Sequence, residues 1–216
     1  MQYFNLMKKY ISKLHYLTQD LPNLTHTQQV QLACEAGANW IQYRCFSKTD
    51  EEMLEELHPI ATICDDWGAT LIVTDHSHLV HLADIQGVHI EYVDADITLV
   101  REQIGEAKTL GVSAINLAQI KKHITNGADY IGCGPFAYTA TKPNDFPLWG
   151  LQGYKKAVET LKSEGINFPL IAVGGIKAED VVALMDTGVA GIAVSAAINL
   201  SGNIKEAYQE IHQLVY

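Results

Sequence analysis

Positive charge is scarce in this chain. Lys and Arg number 15 against 25 Asp and Glu, a formal net charge of -10, and no run of basic residues breaks that balance. Such a field repels a phosphate-rich polymer, so nucleic acid is excluded as an expected partner. Long apolar runs are also missing: the opening segment MQYFNLMKKYISKLHYL mixes lysines into its apolar residues. It reads as neither signal peptide nor membrane span, so a cytoplasmic protein with no membrane partner is expected. The four cysteines, Cys34, Cys45, Cys64 and Cys133, form no C-x-x-C pair and read as small buried hydrophobes. No G-x-S-x-G elbow is present and Ser113 has no His in its local context, which argues against a hydrolytic triad. His76, His78 and His81 show no matching Cys or third ligand in the sequence and read as exposed helix histidines. No Pro/Ser linker, charge block or low-complexity tract interrupts the chain, so residues 1–216 are expected to form one domain.

What is present is regular. Of 216 residues 48% are hydrophobic, enough for one sizeable core. Short apolar runs alternate with longer amphipathic ones, the pattern of strand and helix units around a parallel sheet. Strands are expected at 13–17, 40–44, 70–74, 87–90, 111–114, 130–133, 170–173 and 191–194. Between them lie helices such as 51–66, with Met53, Leu54, Leu57, Ile60, Ala61 and Cys64 at helical spacing. The segments EAGANWIQYR, DWGATLIVTD, NGADYIGCGP and TGVAGIAVSA each put a Gly after a helix and a buried strand just beyond. Glycine ends a helix readily because it adopts the left-handed conformation. Four copies of one unit predict a closed α/β layout, a single (β/α)8 TIM barrel. The alternative, an open doubly wound sheet, would carry a Gly-rich phosphate turn after its first strand, and Leu17-Thr18-Gln19-Asp20 is not one.

In such a barrel the chemistry hangs from the C-terminal ends of strands. The polar residues there are Gln42 and Arg44, Thr74 and Asp75, Asp94, Ser113, a loop carrying Thr139, Thr141 and Lys142, then Gly174-Gly175 and Val194-Ser195. Backbone N–H groups of the last two turns, with the Thr139 and Thr141 hydroxyls, form a candidate phosphate cradle; read singly, each motif is equally a tight turn or a solvated loop. Asp75 and Asp94, at the ends of adjacent strands, can share a hard divalent cation, Mg2+ rather than zinc, or can each cap a helix or turn. Arg44 at a barrel mouth calls for an anionic partner or open solvent.

These residues resemble the thiamine phosphate synthase family and the related TenI-type thiazole tautomerases over nearly the whole chain. The carriers are IQYR (41–44), IVTD (72–75), GVHIEYVD (87–94), GVSA (111–114), GADYIGCGPFAYTATKP (127–143), AVGGI (172–176) and GIAVSAAI (191–198). The resemblance implies that Asp75 and Asp94 bind magnesium and that Gln42, Arg44, Ser113 and Lys142 hold the pyrimidine diphosphate, with Arg44, Ser113 and Lys142 as its catalytic contacts. It assigns Thr139, Thr141, Gly175, Val194 and Ser195 to the thiazole phosphate. The implied reaction ionises the pyrimidine–diphosphate bond, and the thiazole nitrogen captures the resulting cation.

The chain departs from the family pattern at several places. Phe46 stands where a lysine is usual, Thr74 where an Asn contacts substrate, Glu91-Tyr92 where Gly-Gln is usual, and Ile115 where many members carry a His. That His is an acid/base group in the tautomerase branch, so its loss argues against a tautomerase; retention of Asp75, Asp94 and Lys142 argues for a synthase, and the loss of a lysine at 46 for a slow or altered one. A synthase is therefore expected, with two small-molecule substrates and assembly into a homo-oligomer left open. A phosphate-binding protein that has lost turnover, a TenI-like tautomerase and another phosphosugar-type barrel enzyme are the alternatives.

Overall fold

The computed structural model describes residues 9–92, 95–139 and 146–216. Eight parallel strands close into a barrel in chain order: β1 (Leu14–Leu17), β2 (Trp40–Tyr43), β3 (Thr70–Thr74), β4 (Gly87–Ile90), β5 (Thr109–Ala114), β6 (Tyr130–Cys133), β7 (Leu170–Val173) and β8 (Gly191–Val194). The expected TIM barrel is the observed fold. Closure is made by β8 on β1, where Leu14 pairs with Ile192 and Tyr16 with Val194. The expected strands stand within a residue or two of their positions; the largest change is at β5, which starts at Thr109 rather than 111 because Gly87 of β4 pairs with it there.

The helices are α1 (His26–Glu35), α2 (Asp50–Trp67), α3 (Ile97–Ile104), α4 (Leu117–Thr125), α5 (Gly150–Ser163), α6 (Val181–Asp186), α7 (Ala196–Asn199) and α8 (Ile204–Val215). Two short 3-10 turns, Ser77–Leu79 and Ala178–Asp180, follow β3 and β7. Helix α2 starts at a full capping box, in which Thr49 Oγ1 accepts from Glu52 N and the Glu52 carboxylate accepts from Thr49 N. Glycine stops the repeat units as expected: Gly37, Gly68, Gly127 and Gly188 all sit at positive φ, between 66° and 99°. Among the described residues no helix is long and apolar enough to cross a membrane.

Strand alternation divides the core in two. Outward side chains such as Leu14, Ile41, Leu71, Val88, Val112, Ile131, Leu170 and Ile192 pack against the helices in one large cluster. Inward side chains Leu17, Trp40, Ile72, Tyr130, Ile171 and Ala193 form a second cluster inside the barrel. The interior is aromatic at its base, where the His15 ring stacks on Trp40 with centroids 4.4 Å apart. Burial holds the His15 pKa down at about 3, so the ring is neutral at pH 7. The four cysteines are buried and free, as expected.

Candidate active site

Above the aromatic base the inward residues turn polar, and each strand contributes at its C-terminal end. On β2 and β3, the Gln42 amide donates to Thr74 Oγ1 at 3.0 Å, and both residues are buried. Gln42 thus lies below the open mouth, in a small cavity shared with His89 and Ser113. On β4 and β5, His89 Nε2 is 3.0 Å from Ser113 Oγ while its Nδ1 is 3.0 Å from the Tyr130 hydroxyl. The local sequence around Ser113 shows no histidine, yet the barrel supplies one from the neighbouring strand. The Tyr130 hydroxyl stands behind it, so the arrangement orients Ser113 through a histidine held by a phenol. Two glycines make room for this stack: a Cβ on Gly111 would lie 2.1 Å from Tyr130 Cζ, and one on Gly132 2.9 Å from His89 Cε1.

Arg44 leaves β2 and is buried, with 6% of its side chain exposed. Its guanidinium makes a two-point pair with Glu91 beyond β4, Nε to Oε1 at 2.8 Å and Nη2 to Oε2 at 3.3 Å. The same guanidinium lies over the Phe46 ring, 4.4 Å from its centroid, a cation–π contact. Two departures from the family pattern, Phe46 and Glu91, therefore meet on a single arginine. Lys48 is paired to α2, its Nζ 2.6 Å from Glu56, which also accepts from the Tyr43 hydroxyl.

Asp75 is the one non-glycine residue at positive φ among those described, 62°. Its Oδ1 accepts from the backbone N–H of Glu91 at 2.7 Å and of Tyr92 at 3.4 Å. Asp75 accordingly does not cap the turn that follows it; no side-chain cap is made there and His76 occupies the cap position. Asp94, Thr141 and Lys142 lie outside the described residues.

A cavity of about 160 Å³ opens at the C-terminal end of the barrel. It is bordered on one side by Arg44, Glu91 and Ser113 and on the other by Thr139, Gly174, Gly175, Val194 and Ser195. Gln42, Thr74 and Asp75 do not line it. The glycine pair is required by geometry. Gly174 and Gly175 sit at φ 99° and 67°, and a Cβ on Gly175 would stand 2.6 Å from the Tyr138 carbonyl oxygen, below any real contact. The Ser195 Oγ accepts from Asn199 Nδ2 at 3.1 Å, which leaves its own proton for another acceptor. Asn199 is in turn held by the Leu17 carbonyl, at 2.9 Å, and by the Tyr16 hydroxyl. Ile115 lines the same cavity and offers no proton-transfer group.

His89, Tyr130 and Asn199 are candidate site residues that sequence reasoning missed, and Glu91 stood out there only as a departure from the family pattern. Alternation carries a usable signal for the first two, since His89 and Ser113 occupy inward positions of adjacent strands in the register His89↔Gly111. For Asn199 no comparable local signal exists, and for Glu91 the sequence shows the substitution but not its partner Arg44.

Similarity in sequence points to one family. The profile of the family described as Thiamine monophosphate synthase matches residues 16–198. A thiamine-phosphate synthase of Bacteroides fragilis is 38% identical over 86% of this chain and 91% of its own length. That of Flavobacterium johnsoniae is 33% identical over 95% and 97%. A solved structure described as thiamine phosphate pyrophosphorylase from Pyrococcus furiosus superposes with a TM-score of 0.83 at 28% identity, covering 94% of this chain and 95% of that one. The barrel, the polar ring at its mouth and these likenesses together place the chain in the thiamine monophosphate synthase family.

Proposed function

We propose that the two sides of the mouth cavity hold the two substrates of the family reaction, with the residues of this chain in distinct roles. The activity is a transferase step of thiamine biosynthesis: 4-amino-5-hydroxymethyl-2-methylpyrimidine diphosphate and a thiazole phosphate give thiamine phosphate and diphosphate. The observation that carries the assignment is that one cavity is bordered by both Arg44 with Ser113 and Gly175 with Ser195. Two anionic groups can therefore be held at opposite walls with the reacting atoms between them.

Arg44 and Ser113 hold the pyrimidine diphosphate, with Lys142 as the further cation. Gln42 and Thr74, locked to each other, form the polar floor beneath the pyrimidine. Across the cavity, backbone N–H groups at Gly175, Val194 and Ser195, with the hydroxyl of Thr139, hold the thiazole phosphate, a role in which the family resemblance adds Thr141. As the carbon–oxygen bond to the diphosphate breaks, its electrons leave with the diphosphate and the thiazole nitrogen lone pair forms the new carbon–nitrogen bond. Cations fixed in place before the reaction stabilise the departing charge without reorganising. The apolar wall made by Ile115 and Val173 excludes water that would otherwise capture the pyrimidine cation.

The residues at the β3 end fit magnesium. Asp75 offers a carboxylate held in place by backbone amides, and hard oxygen donors with room for water and diphosphate are what Mg2+ takes. Asp75 with Asp94 would hold it, and it would neutralise charge on the diphosphate. The test is direct: purified protein with both substrates and magnesium should form thiamine phosphate. Formation no faster than the enzyme-free blank, across metal and pH, would refute the assignment.

A further inference from the structure

The strand β3 ends in two tight backbone turns, with His76 N donating to the Thr74 carbonyl at 2.8 Å and Ser77 N to the Asp75 carbonyl at 2.9 Å. These fold the chain back so that His76 and His78 both face the first turn of α2. There, Asp50 splays its two carboxylate oxygens between them: His76 Nδ1 is 3.1 Å from Oδ1, and His78 Nε2 is 2.6 Å from Oδ2. The two rings stand 5.7 Å apart, inclined by 60°, so their nitrogens converge instead of stacking. All three donor atoms lie within 4.8 Å of one another. A carboxylate from α2, distant in sequence and adjacent in the barrel, thus stands beside two of the three histidines.

We infer that Asp50, His76 and His78 form a binding site for a divalent transition ion of the zinc class, separate from the magnesium carboxylates. Two imidazole nitrogens and one carboxylate are a zinc-type donor set, whereas magnesium takes oxygen ligands. Metal–ligand bonds of about 2.0–2.2 Å put tetrahedral donors roughly 3.3 Å apart, so donors now within 4.8 Å of one another would close by up to about 1.5 Å, a change that rotation of exposed side chains can supply. The side chains are 31% to 48% exposed, so an ion can enter from solvent and keep water at its open position. The donor set comes from exposed groups whose hydrogen bonds to each other an ion would replace. Bound there, the ion ties the turn carrying Asp75 to the start of α2, directly after the loop bearing Phe46 and Lys48. The inference stands apart from the catalytic reading, because it concerns binding by the protein without substrates.

The experiment is calorimetric titration of metal-stripped full-length protein with Zn2+ in a large excess of Mg2+, paired with Co2+ absorption spectroscopy. One ion per chain is expected, with tetrahedral or five-coordinate Co2+ bands and no cobalt–thiolate charge-transfer band. Asp50→Ala and His78→Ala should each weaken binding at least about tenfold, and Cys45→Ser should leave it unchanged. His78→Gln, a closer fit in size, provides the second variant if His78→Ala lowers solubility, and should weaken binding as much. In the unaltered protein, Zn2+ should shift the ring resonances of His76 and His78. No stoichiometric binding, binding that survives loss of Asp50 and His78, or a thiolate band pointing to the Asp20, His26 and Cys45 group would each overturn the assignment.

Discussion

Glu91→Gln should make the protein a better binder of its diphosphate substrate while making it less stable. The Arg44 guanidinium is engaged at two points by Glu91, 2.8 Å and 3.3 Å, with only 6% and 9% of the two side chains exposed. A diphosphate that uses Arg44 must compete with that carboxylate. Hydrogen bonds to charged groups contribute about 1.5–3 kcal/mol net, so weakening the competitor should lower KM for the pyrimidine diphosphate about ten- to a hundredfold, at about 1.4 kcal/mol per tenfold. KM for the thiazole phosphate should not change, because it occupies the opposite wall. The cost falls on the fold. Removing one partner of a buried pair leaves a charge uncompensated, at about 3–5 kcal/mol where burial is complete, and the cation–π contact with Phe46 recovers part of this. Steady-state kinetics at fixed salt, with thermal unfolding in parallel, measures both effects. A KM for the pyrimidine diphosphate that rises or stays level would show that Glu91 aligns Arg44 for substrate instead of competing with it, and the reasoning would fall.

Asp75→Asn should lower activity by orders of magnitude with Tm nearly unchanged, since Asn tolerates positive φ and its Oδ1 can still accept from Glu91 N; retained activity would remove Asp75 from metal binding. Phe46→Lys should raise the rate about tenfold, for one restored charge-assisted contact, while Lys48→Ala should not change it, because Lys48 is committed to Glu56; a loss in Lys48→Ala equal to that gain would show that the diphosphate recruits Lys48. Gly175→Ala should raise KM for the thiazole phosphate more than for the pyrimidine diphosphate and lower Tm, given φ 67° and a Cβ position 2.6 Å from the Tyr138 carbonyl oxygen. His15 is held at about 3 in the folded chain against about 6.5 unfolded, so the unfolded state binds the extra proton. Its contribution is complete above pH 6.5 and is lost as pH falls toward 3, at up to ~1.4 kcal/mol per pH unit; denaturant titrations of His15→Gln should show a shallower acid slope.

The barrel was legible because a strand buried on both faces reads as an uninterrupted apolar run, and because glycine ends the preceding helix at Gly37, Gly68, Gly127 and Gly188. The positions of Arg44, Ser113, Gly175 and Ser195 at one mouth follow from the rule that side chains past each strand converge there. Partnerships were not legible. Arg44 finds Glu91 across an intervening strand, a pairing that depends on barrel tilt and on where β4 ends. Ser113 has its histidine on β4, which a search of neighbouring sequence does not reach although the inward register holds it. Asp50 meets His76 and His78 only because consecutive strand–helix units lie side by side.

The seam between β1 and β8 gives the chain a demanding order of assembly. Leu14 must find Ile192, so the first strand waits for the last before the sheet loses its two free edges. During synthesis, β1 and β7 therefore expose unpaired backbone groups, each able to accept a strand from a second nascent chain. Closure is a contact between strands far apart in sequence, whose loop entropy is overcome only late and makes such topologies slow to finish. A chain cut before Gly191 keeps those edges open, and its fate is set by aggregation rather than by the stability of the strands already paired.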